Sequence, residues 1–203
     1  MRALTAFALI GLLAGTAQAD VTTDAKQAPA GSYQVEGRHT QVVFAISHFG
    51  LTDYYGRFEK VSGTLNFNPG APEKSSVSIT LDTSSVSVAS SELLGEITGG
   101  EVLDSKAFPT ATFTSTAIER TGPNTGKMTG DLTLHGVTKP VTFDIVFNGG
   151  EVSPTGASSY LLGFHATATI HREDFGLAAM PWSSLVGEDV KLTIEALFQK
   201  QKG

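Results

Sequence analysis

Apolar and polar residues alternate with a period of two along most of this chain, as in β-strands that have one buried face. Turn sequences separate the alternating segments, at Asn68-Pro69-Gly70, Gly122-Pro123-Asn124, Asn148-Gly149-Gly150 and Pro154-Thr155-Gly156. This spacing predicts the hairpins of an all-β fold rather than βαβ units. The apolar faces are Val42, Phe44 and Ile46 with His48; Leu65 and Phe67; Val77, Ile79 and Leu81; Met128, Leu132 and Leu134 with Gly130; Val141, Phe143, Ile145 and Phe147; Leu162, Phe164, Ala166, Ala168 and Ile170; and Val190, Leu192, Ile194, Ala196 and Phe198.

Closure into an antiparallel β-barrel is the arrangement that we expect for about eight such strands. Closure removes the exposed strand edges at which other chains could pair, and a barrel of this size can just hold one small ligand. The interior would carry Phe44, Phe67, Phe113, Phe143 and Phe164 and almost no charge. A ligand in that lumen should be apolar, because a polar one would lose its hydrogen bonds to water. Periodicity alone does not distinguish such a cavity from a core filled by the same side chains.

One stretch departs from the alternation and predicts a short helical insertion. Between Ser90 and Lys106, apolar residues recur at helical spacing, at Leu93, Leu94, Ile97, Val102 and Leu103. Ser90 or Ser91 can cap the first turn, Gly99-Gly100 should interrupt the helix, and Phe108-Pro109 should end it. The insertion is expected to pack on the barrel or to plug it.

Residues 1–19 are predicted to be a signal peptide that is cleaved on export. Arg2 precedes an apolar run, and Ala17-Gln18-Ala19 is a small-x-small cleavage site. The run is shorter than the roughly 20 apolar residues of a permanent membrane span, although a retained N-terminal anchor is the alternative. Residues 20–31 would then form a flexible leader, and residues 32–200 a single barrel domain.

Charge and composition exclude several classes of function. Cleavage would remove Arg2 and change the formal net charge from −6 to −7. Nucleic acid, which requires a basic surface, is therefore excluded as a partner. The chain contains no cysteine, which excludes disulfides, thiol chemistry and a lipoprotein anchor. An outer-membrane barrel would also alternate, but its apolar face looks outward, whereas here charged residues such as Asp131, Asp144 and Glu195 occupy the polar faces and no aromatic girdle is evident.

Catalytic motifs are absent from the sequence. It contains no Gly-x-Ser-x-Gly elbow, no phosphate loop and no His-Glu-x-x-His helix. We therefore expect a binding protein without catalytic residues, cofactor or metal site. A hydrolase or isomerase that acts on lipid stays open as an alternative, because catalytic triads assemble from distant positions in a sequence.

The histidines allow two interpretations. His39, His48 and His135 are either contacts to a ligand head group or metal, or imidazoles that bond backbone at strand ends. The second is favoured because no zinc-type spacing accompanies them. His165 and His171 lie six residues apart, which places them on one face of a strand, and the apolar residues beside them predict that this face meets solvent.

A charged turn follows the strand that ends near His171. Arg172 is expected to pair with Glu173 and Asp174 inside this turn, near Phe175, as a structural feature. Contact with a polar head group is the alternative for a charge near the mouth of a barrel. Glu188-Asp189 is interpreted as a pair of exposed turn charges.

Seven blocks of the sequence resemble those of the YceI-like family, in the family's order. No single block is decisive, but the set is specific and spans about residues 32 to 198. Two features depart from the family pattern: residues 92–104 lack its Arg-Asp and His-Leu pairs and its Phe-Phe-Asp run, and His171 stands where Asn is common. The blocks are Tyr33 to Glu36 with His39 to Gly50, Gly56 to Phe58, Gly63 to Leu65, Phe108 to Ser115, Gly130 to Val141, Ile170 to Leu177, and Val186 to Val190.

This resemblance implies a lipocalin-like, extended antiparallel barrel with a helical insertion, in a periplasmic or otherwise exported protein. It implies a long tunnel that binds a polyisoprenoid chain, in some members a quinone-type lipid. The altered helical segment affects the mouth and hence the choice of head group. The implied ligand-binding residues are Phe44, Ile46, Phe67, Met128, Leu132, Phe143, Phe164 and Ile170 in the wall, with Leu93, Leu94, Phe175 and Trp182 closing the mouth.

The expected partner that the resemblance implies is an isoprenoid or quinone-type lipid. Transient contact with the membrane or a membrane redox protein is left open, as is a homodimer. The alternative function is an interaction module, in which a filled barrel contacts a periplasmic or membrane redox protein through loops such as residues 149–158.

Overall fold

The computed structural model describes residues 21–153, 159–177 and 183–201. The predicted signal peptide, the turn Pro154-Thr155-Gly156 and Trp182 lie outside these ranges. The described residues form eleven strands and one α-helix: β1 (Gly31–Val35), β2 (Gln41–His48), β3 (Thr52–Phe58), β4 (Val61–Phe67), β5 (Ser76–Asp82), β6 (Val86–Val88), α1 (Ser91–Thr98), β7 (Thr110–Arg120), β8 (Thr125–Leu134), β9 (Val137–Val152), β10 (Tyr160–His171) and β11 (Val186–Lys200).

The strands form one antiparallel sheet that closes on itself. The ring runs β1, β4, β5, β7, β8, β9, β10 and β11, and β11 returns to pair with β1, where Val35 lies opposite Phe198. β1 and β4 form an antiparallel pair, and β2 and β3 continue that pair along the barrel, so that β1 with β2, and β4 with β3, each occupy one position of the ring. In the same way β6 continues β5. The segments thus make an eight-strand wall, and the predicted antiparallel barrel of about eight strands with one short helix is confirmed.

The two ends of the barrel differ. The terminal end carries the start of β1, the end of β11 and the turns at residues 68–75 and 121–124. The helix end carries the hairpin turns at residues 49–51 and 135–136 and the segment 89–109, which includes α1. Because strands alternate in direction, every hairpin turn of the wall falls at one of these two ends.

The predicted inward faces are confirmed on β2 and β11. Val42, Phe44 and Ile46 line the lumen, as do the alternating positions of β11 from Val190 to Phe198. The inward face of β3 is Tyr54, Gly56 and Phe58, a pattern that the sequence conceals because its central position has no side chain. The ring of Phe44 occupies that space, so a Cβ at Gly56 would collide with it.

The helical insertion is also confirmed, with its expected boundaries. Ser90 caps α1 by accepting a hydrogen bond from the backbone N–H of Leu93 at 3.3 Å. The helix ends at Gly99, and the turns that follow bury Val102 and Leu103. The insertion therefore attaches to the barrel through apolar side chains on both sides of the glycine pair.

The segment before β1 packs against the barrel, which differs from the flexible leader expected from its composition. Thr22 exchanges two backbone hydrogen bonds of 2.9 Å with Gly150, and Ala28 is buried. Asp24 caps a 3-10 turn at Ala25–Gln27. Composition did not show this packing because the partner strand lies more than 120 residues away in the chain.

Tyr33 is completely buried at the terminal end, where its hydroxyl donates a hydrogen bond to the carbonyl oxygen of Pro29 at 2.6 Å. Its ring meets Phe67 edge to face, with centroids 6.2 Å apart. Burial, and to a smaller extent the neighbouring Tyr160, raises the pKa of Tyr33 from 10.0 to about 12. The fold therefore favours the neutral phenol.

Alkaline pH should remove the stability that Tyr33 contributes. The folded pKa lies above the unfolded one, so the contribution is complete below pH 10 and is lost as pH rises toward 12. Tyr33→Phe should lower the free energy of unfolding by about 1 kcal/mol at pH 8, because the hydrogen bond is lost. By pH 11 ionisation of Tyr33 lowers the free energy of unfolding of the wild type by roughly 1 kcal/mol. Urea titrations should therefore show that the gap in this free energy between wild type and Tyr33→Phe closes. A gap that is constant from pH 8 to pH 11 would contradict this.

Candidate ligand-binding site

The lumen of the barrel contains two apolar chambers that have five lining residues in common, here called the waist. The helix-end chamber has a volume of about 520 Å³, and the terminal chamber about 220 Å³. The larger volume lies within the range of about 300–1,000 Å³ that is usual for ligand pockets. The side chains therefore do not fill the barrel. The waist residues, which line both chambers, are Val42, Ile79, Phe113, Phe143 and Ile194.

Two phenylalanines of the waist contact each other. Phe113 on β7 and Phe143 on β9 are both buried, and their rings meet edge to face with centroids 5.1 Å apart. Phe113 lies over Gly130, where a Cβ would collide with its ring. The missing side chain at Gly130 thus lets the Phe113 ring lie close to the wall and leaves space in the lumen.

The helix-end chamber lies between the barrel wall and the helical insertion. Leu93 and Ile97 of α1, with Val102 and Leu103 beyond it, form one side. The barrel wall contributes Tyr54 and Phe58 on β3 and the inward residues of β2. The helical segment therefore forms part of the wall of the larger of the two chambers, as well as covering that end of the barrel.

The terminal chamber is bounded by aromatic rings. Phe67, Phe147, Phe164 and Phe198 contact one another, with centroid distances between 5.3 and 6.3 Å. Charged side chains lie only at the outer rim of its lining, at Asp24, Lys26, Glu119 and Arg120. An apolar chain that reached this chamber from the helix end would therefore meet mostly apolar surface before the rim.

The structure brings together most of the residues that the resemblance implied. Leu94 is half-buried on α1 but lines neither chamber, and Phe175 is 1 % exposed and packs with Val141 and Leu177 in the core beside the lumen. Trp182 lies outside the described residues. The residues that line a chamber are Phe44, Ile46, Leu93, Leu132 and Ile170 at the helix end, Phe67, Met128 and Phe164 at the terminal end, and Phe143 at both.

Arg172 differs from its sequence interpretation. It is 2 % exposed and lines the helix-end chamber, and it pairs with Glu188 at 2.6 Å rather than with Glu173 or Asp174. Its guanidinium also donates to the carbonyl oxygens of Leu177, Ser183 and Gly187, at distances between 2.8 and 3.1 Å. The pairing with adjacent carboxylates was wrong because the 3-10 turn at Arg172–Phe175 directs the guanidinium to the start of β11.

The histidines do not share one role. His39 bonds the carboxylate of Glu36, and His135 packs its ring against Phe108 at 4.6 Å. Partial burial raises the pKa of Glu36, but hydrogen bonds from Arg38 and His39 outweigh it and hold that pKa below its usual value. His48 lines the helix-end chamber, so it is the one of the three that reaches the candidate site.

The solvent-facing placement of the other two histidines is confirmed. His165 pairs with Glu195, and His171 pairs with Asp189, each at 2.7 Å. Within residues 21–153, 159–177 and 183–201, no cluster of three or more His, Asp or Glu side chains could hold a metal ion. In the same part of the chain, no helix combines the length and the apolar character that a bilayer crossing requires.

Sequence reasoning missed two polar lining residues of the helix-end chamber. Tyr54 belongs to β3, whose alternation is short and interrupted by Gly56, and Glu96 lies on α1 one position before Ile97. The pairing of Tyr54 with Ile46 would have shown its inward face, since opposite residues of antiparallel strands point to the same side of a sheet. That pairing is visible only once the β2–β3 hairpin is recognised.

Comparison with known proteins agrees with this architecture. The profile of the YceI-like domain matches residues 33–198. A UPF0312 protein of Pseudomonas putida (strain W619) is 39 % identical over 178 residues, which cover 87 % of this chain and 91 % of the relative. A UPF0312 protein of Pseudomonas syringae pv. tomato is 37 % identical over 190 residues, which cover 93 % and 97 %.

Two solved structures share the barrel. Burkholderia cenocepacia BcnA superposes with a TM-score of 0.71 at 25 % identity, over 80 % of this chain and 98 % of BcnA. A polyisoprenoid binding domain from Saccharophagus degradans, implicated in plant cell wall breakdown, superposes with a TM-score of 0.64 over 85 % of this chain and all of that domain. Its 15 % identity shows likeness of fold alone. Since the family profile runs from β1 to β11 and the Pseudomonas relatives match across the same barrel, this chain belongs to the YceI-like family.

Proposed function

We propose that this protein is an exported carrier that holds one isoprenoid chain, of the polyprenyl or quinone type, inside its barrel. The observation that carries the proposal is the pair of apolar chambers that share the waist residues. The fold that the chain shares with the Saccharophagus degradans polyisoprenoid binding domain supports it. The ligand is held by apolar burial rather than by chemical reaction.

The length of the lumen suits an extended chain. On β11 the lining runs from Val190 to Phe198, eight residues further along, through both chambers. At about 3.3 Å per residue this is roughly 26 Å of strand, and strands in such barrels tilt by about 40°. The lumen therefore extends about 20 Å along the barrel axis, which is room for several isoprene units in a row.

Burial of apolar surface supplies the affinity. Removing about 100 Å² of hydrocarbon surface from water is worth about 2.5 kcal/mol, so each buried unit of a long chain adds substantially. The lumen offers such a chain almost no polar partners, and a polar chain would lose hydrogen bonds to water on entry. Long, branched hydrocarbon chains are thus preferred over polar ligands of similar size.

Binding rather than turnover is favoured by the placement of the lining groups. His48, Glu96 and the Tyr54 hydroxyl line the same helix-end chamber, but neither His48 nor Glu96 forms a hydrogen bond with that hydroxyl. A base and a hydroxyl must be within hydrogen-bond reach to act together on a substrate. We therefore propose no catalytic role and no cofactor, and we place the mature protein in the periplasm on the strength of residues 1–19.

Native mass spectrometry tests the carrier function. The mature protein, purified from the exported fraction without detergent, should carry an added mass that organic extraction resolves into an isoprenoid. Bare protein that stays unliganded after incubation with quinones and polyprenols would instead favour the interaction module. The observation that favours this second candidate is Val152, an exposed apolar residue beside residues 154–158.

We further propose that the helix end touches the membrane while lipid is exchanged. Phe49 and Leu51 of the β2–β3 turn are exposed, Leu51 to 83 %. The centroid of the Phe49 ring lies 4.2 Å from that of His48, and the backbone N–H of Phe49 donates to the carbonyl oxygen of Leu185. Because His48 and Leu185 line the helix-end chamber, the turn is in direct contact with that chamber's wall. Phe49 also adopts a left-handed φ of 56°, which is unfavourable for a bulky residue.

Replacing this apolar turn should slow lipid delivery without weakening lipid binding. The double variant Phe49→Ser, Leu51→Ser is expected to reduce the rate of isoprenoid transfer to phosphatidylethanolamine vesicles by about tenfold, because less apolar surface inserts into the interface. Stopped-flow transfer of a fluorescent isoprenoid measures the rate. Val152→Ser, at the terminal end, is the matched control and should transfer at the wild-type rate. Equal rates for the double variant and the wild type would contradict the contact.

A further inference from the structure

One polar atom in the helix-end chamber lacks a hydrogen-bond partner. The hydroxyl of Tyr54 is buried, and no donor or acceptor of the described residues reaches it. Tyr54 lines the chamber, and its Cα lies opposite that of Ile46 in the β2–β3 pair. A buried hydroxyl that is left unpaired is costly to a fold, so such groups in native proteins usually have a further partner.

The position of this hydroxyl distinguishes it from the other buried side-chain atom of the described ranges that has no hydrogen-bond partner. Ser105 Oγ is also buried and unbonded, but Ser105 lines neither chamber. At the terminal end two of the four rim charges bond within the protein: Arg120 donates to the carbonyls of Gly122 and Pro123, and Asp24 accepts from the N–H of Lys26. None of the buried, unpaired side-chain atoms of the described residues belongs to the lining of that chamber. The unmet polar group that faces a cavity is therefore at the helix end.

The charges of the same chamber restrict what could bond there. Arg172 is the buried cation of its lining, and Glu188 neutralises it at 2.6 Å. Four of its five guanidinium N–H groups donate to the described acceptors, which leaves one N–H of Nη1. Among Asp, Glu, Lys and Arg side chains, the other member of the lining is Glu96, which is acidic. An anionic head group would meet no net positive charge here, and it would lose its hydration.

We propose that the helix-end chamber binds an uncharged oxygen-bearing head group, a hydroxyl or carbonyl, through a hydrogen bond with the Tyr54 hydroxyl. The apolar chain behind the head group then passes the waist into the terminal chamber. This inference rests on the proposed isoprenoid binding and adds to it both the orientation of the lipid and the class of its head group. Polyprenyl phosphates and diphosphates, which share the same tail, are discriminated against.

Tyr54→Phe tests the inference, with Tyr55→Phe as a matched control. Tyr55 is the next residue on β3, it points outward and it is 61 % exposed. Affinities are measured for three probes: geranylgeraniol, geranylgeranyl diphosphate, and the hydrocarbon phytane. Wild-type protein should prefer geranylgeraniol over the diphosphate. Tyr54→Phe should weaken geranylgeraniol about tenfold, the typical value of one buried hydrogen bond, and should leave phytane unchanged. Tyr55→Phe should change neither affinity.

The thermal midpoint of the unliganded protein is the second readout. Because Tyr54→Phe removes an unpaired hydroxyl, it should not lower this midpoint, and a loss of geranylgeraniol affinity then reflects the head-group bond rather than the fold. Equal geranylgeraniol affinity in Tyr54→Phe and wild type overturns the inference. Tighter binding of geranylgeranyl diphosphate than of geranylgeraniol by the wild-type protein also overturns it. In both cases phytane binding would still uphold the carrier function. Failure of wild-type protein to bind any of the three probes overturns both.

Discussion

Phe143→Asp should abolish isoprenoid binding. Phe143 lines both chambers and is 5 % exposed at the waist, so a carboxylate there would stand in the path of the chain. An apolar ligand cannot pair with the charge, and its entry would strip the carboxylate of water. We expect affinity to fall by at least about 100-fold. Extraction of the purified variant followed by mass spectrometry, and titration with a fluorescent isoprenoid, both measure the loss.

Two further variants make this result interpretable. Thr142→Asp places the same charge on the adjacent, exposed position of β9 and should bind as the wild type does. Ile46→Asp introduces the charge at a half-buried wall position of the helix-end chamber, where the cost to folding is smaller. It should also lose the ligand, which separates an effect on the lumen from an effect on the fold. Lipid retained in a folded Phe143→Asp or Ile46→Asp protein would count against the lumen as the binding site.

Arg172→Met should be the most destabilising single change outside the apolar core. The substitution leaves the carbonyls of Leu177, Ser183 and Gly187 without their donor, together with the carboxylate of Glu188. Removing one partner from a buried charged network costs about 3–5 kcal/mol in the free energy of unfolding. Arg172→Lys should recover little of it, because one ammonium cannot reach acceptors spread around a planar guanidinium.

The partner residue and an exposed cation provide the controls. Glu188→Gln should cost about 1 kcal/mol or less, since half of the Glu188 side chain is exposed and water can replace the ion pair. Lys191→Met, which removes an exposed ion pair with Asp53, should leave stability nearly unchanged. Urea denaturation followed by circular dichroism measures all four variants. A loss for Glu188→Gln as large as that for Arg172→Met would show that the carboxylate, and not the backbone carbonyls, is the important partner.

The barrel could be predicted from the sequence because its dominant signal is local. On β11, Val190 to Phe198 alternate with Lys191, Thr193 and Glu195, and a strand with one buried face admits few other conformations. The boundaries of α1 were equally local, since Ser90 caps its first turn and Gly99 ends it. Where alternation is short, as around Gly56 on β3, the strand was not identified from its residues.

The candidate site was predicted only in part. The local sequence shows which side chains face inward, but it does not show where those side chains lie relative to the lumen. Phe44, Phe143 and Phe164 were expected in the wall from their position on inward faces. Leu94 and Phe175 were expected at the mouth, but the rotation of α1 and the fold of the 3-10 turn at Arg172–Phe175 place them away from the lumen. These orientations depend on packing between distant segments, which no local pattern encodes.

The sequence by itself determined the fold class, the inward faces and the apolar character of the lumen, since each follows from which side chains alternate and from the cost of burying polar groups. Only the tertiary structure decided that the lumen is open. Whether phenylalanines fill a barrel or line it depends on where their rings lie, and Phe44 and Phe113 lie over Gly56 and Gly130. The same closure of the sheet brought the buried Arg172 and the unpaired hydroxyl of Tyr54 into the helix-end chamber, from segments more than 100 residues apart.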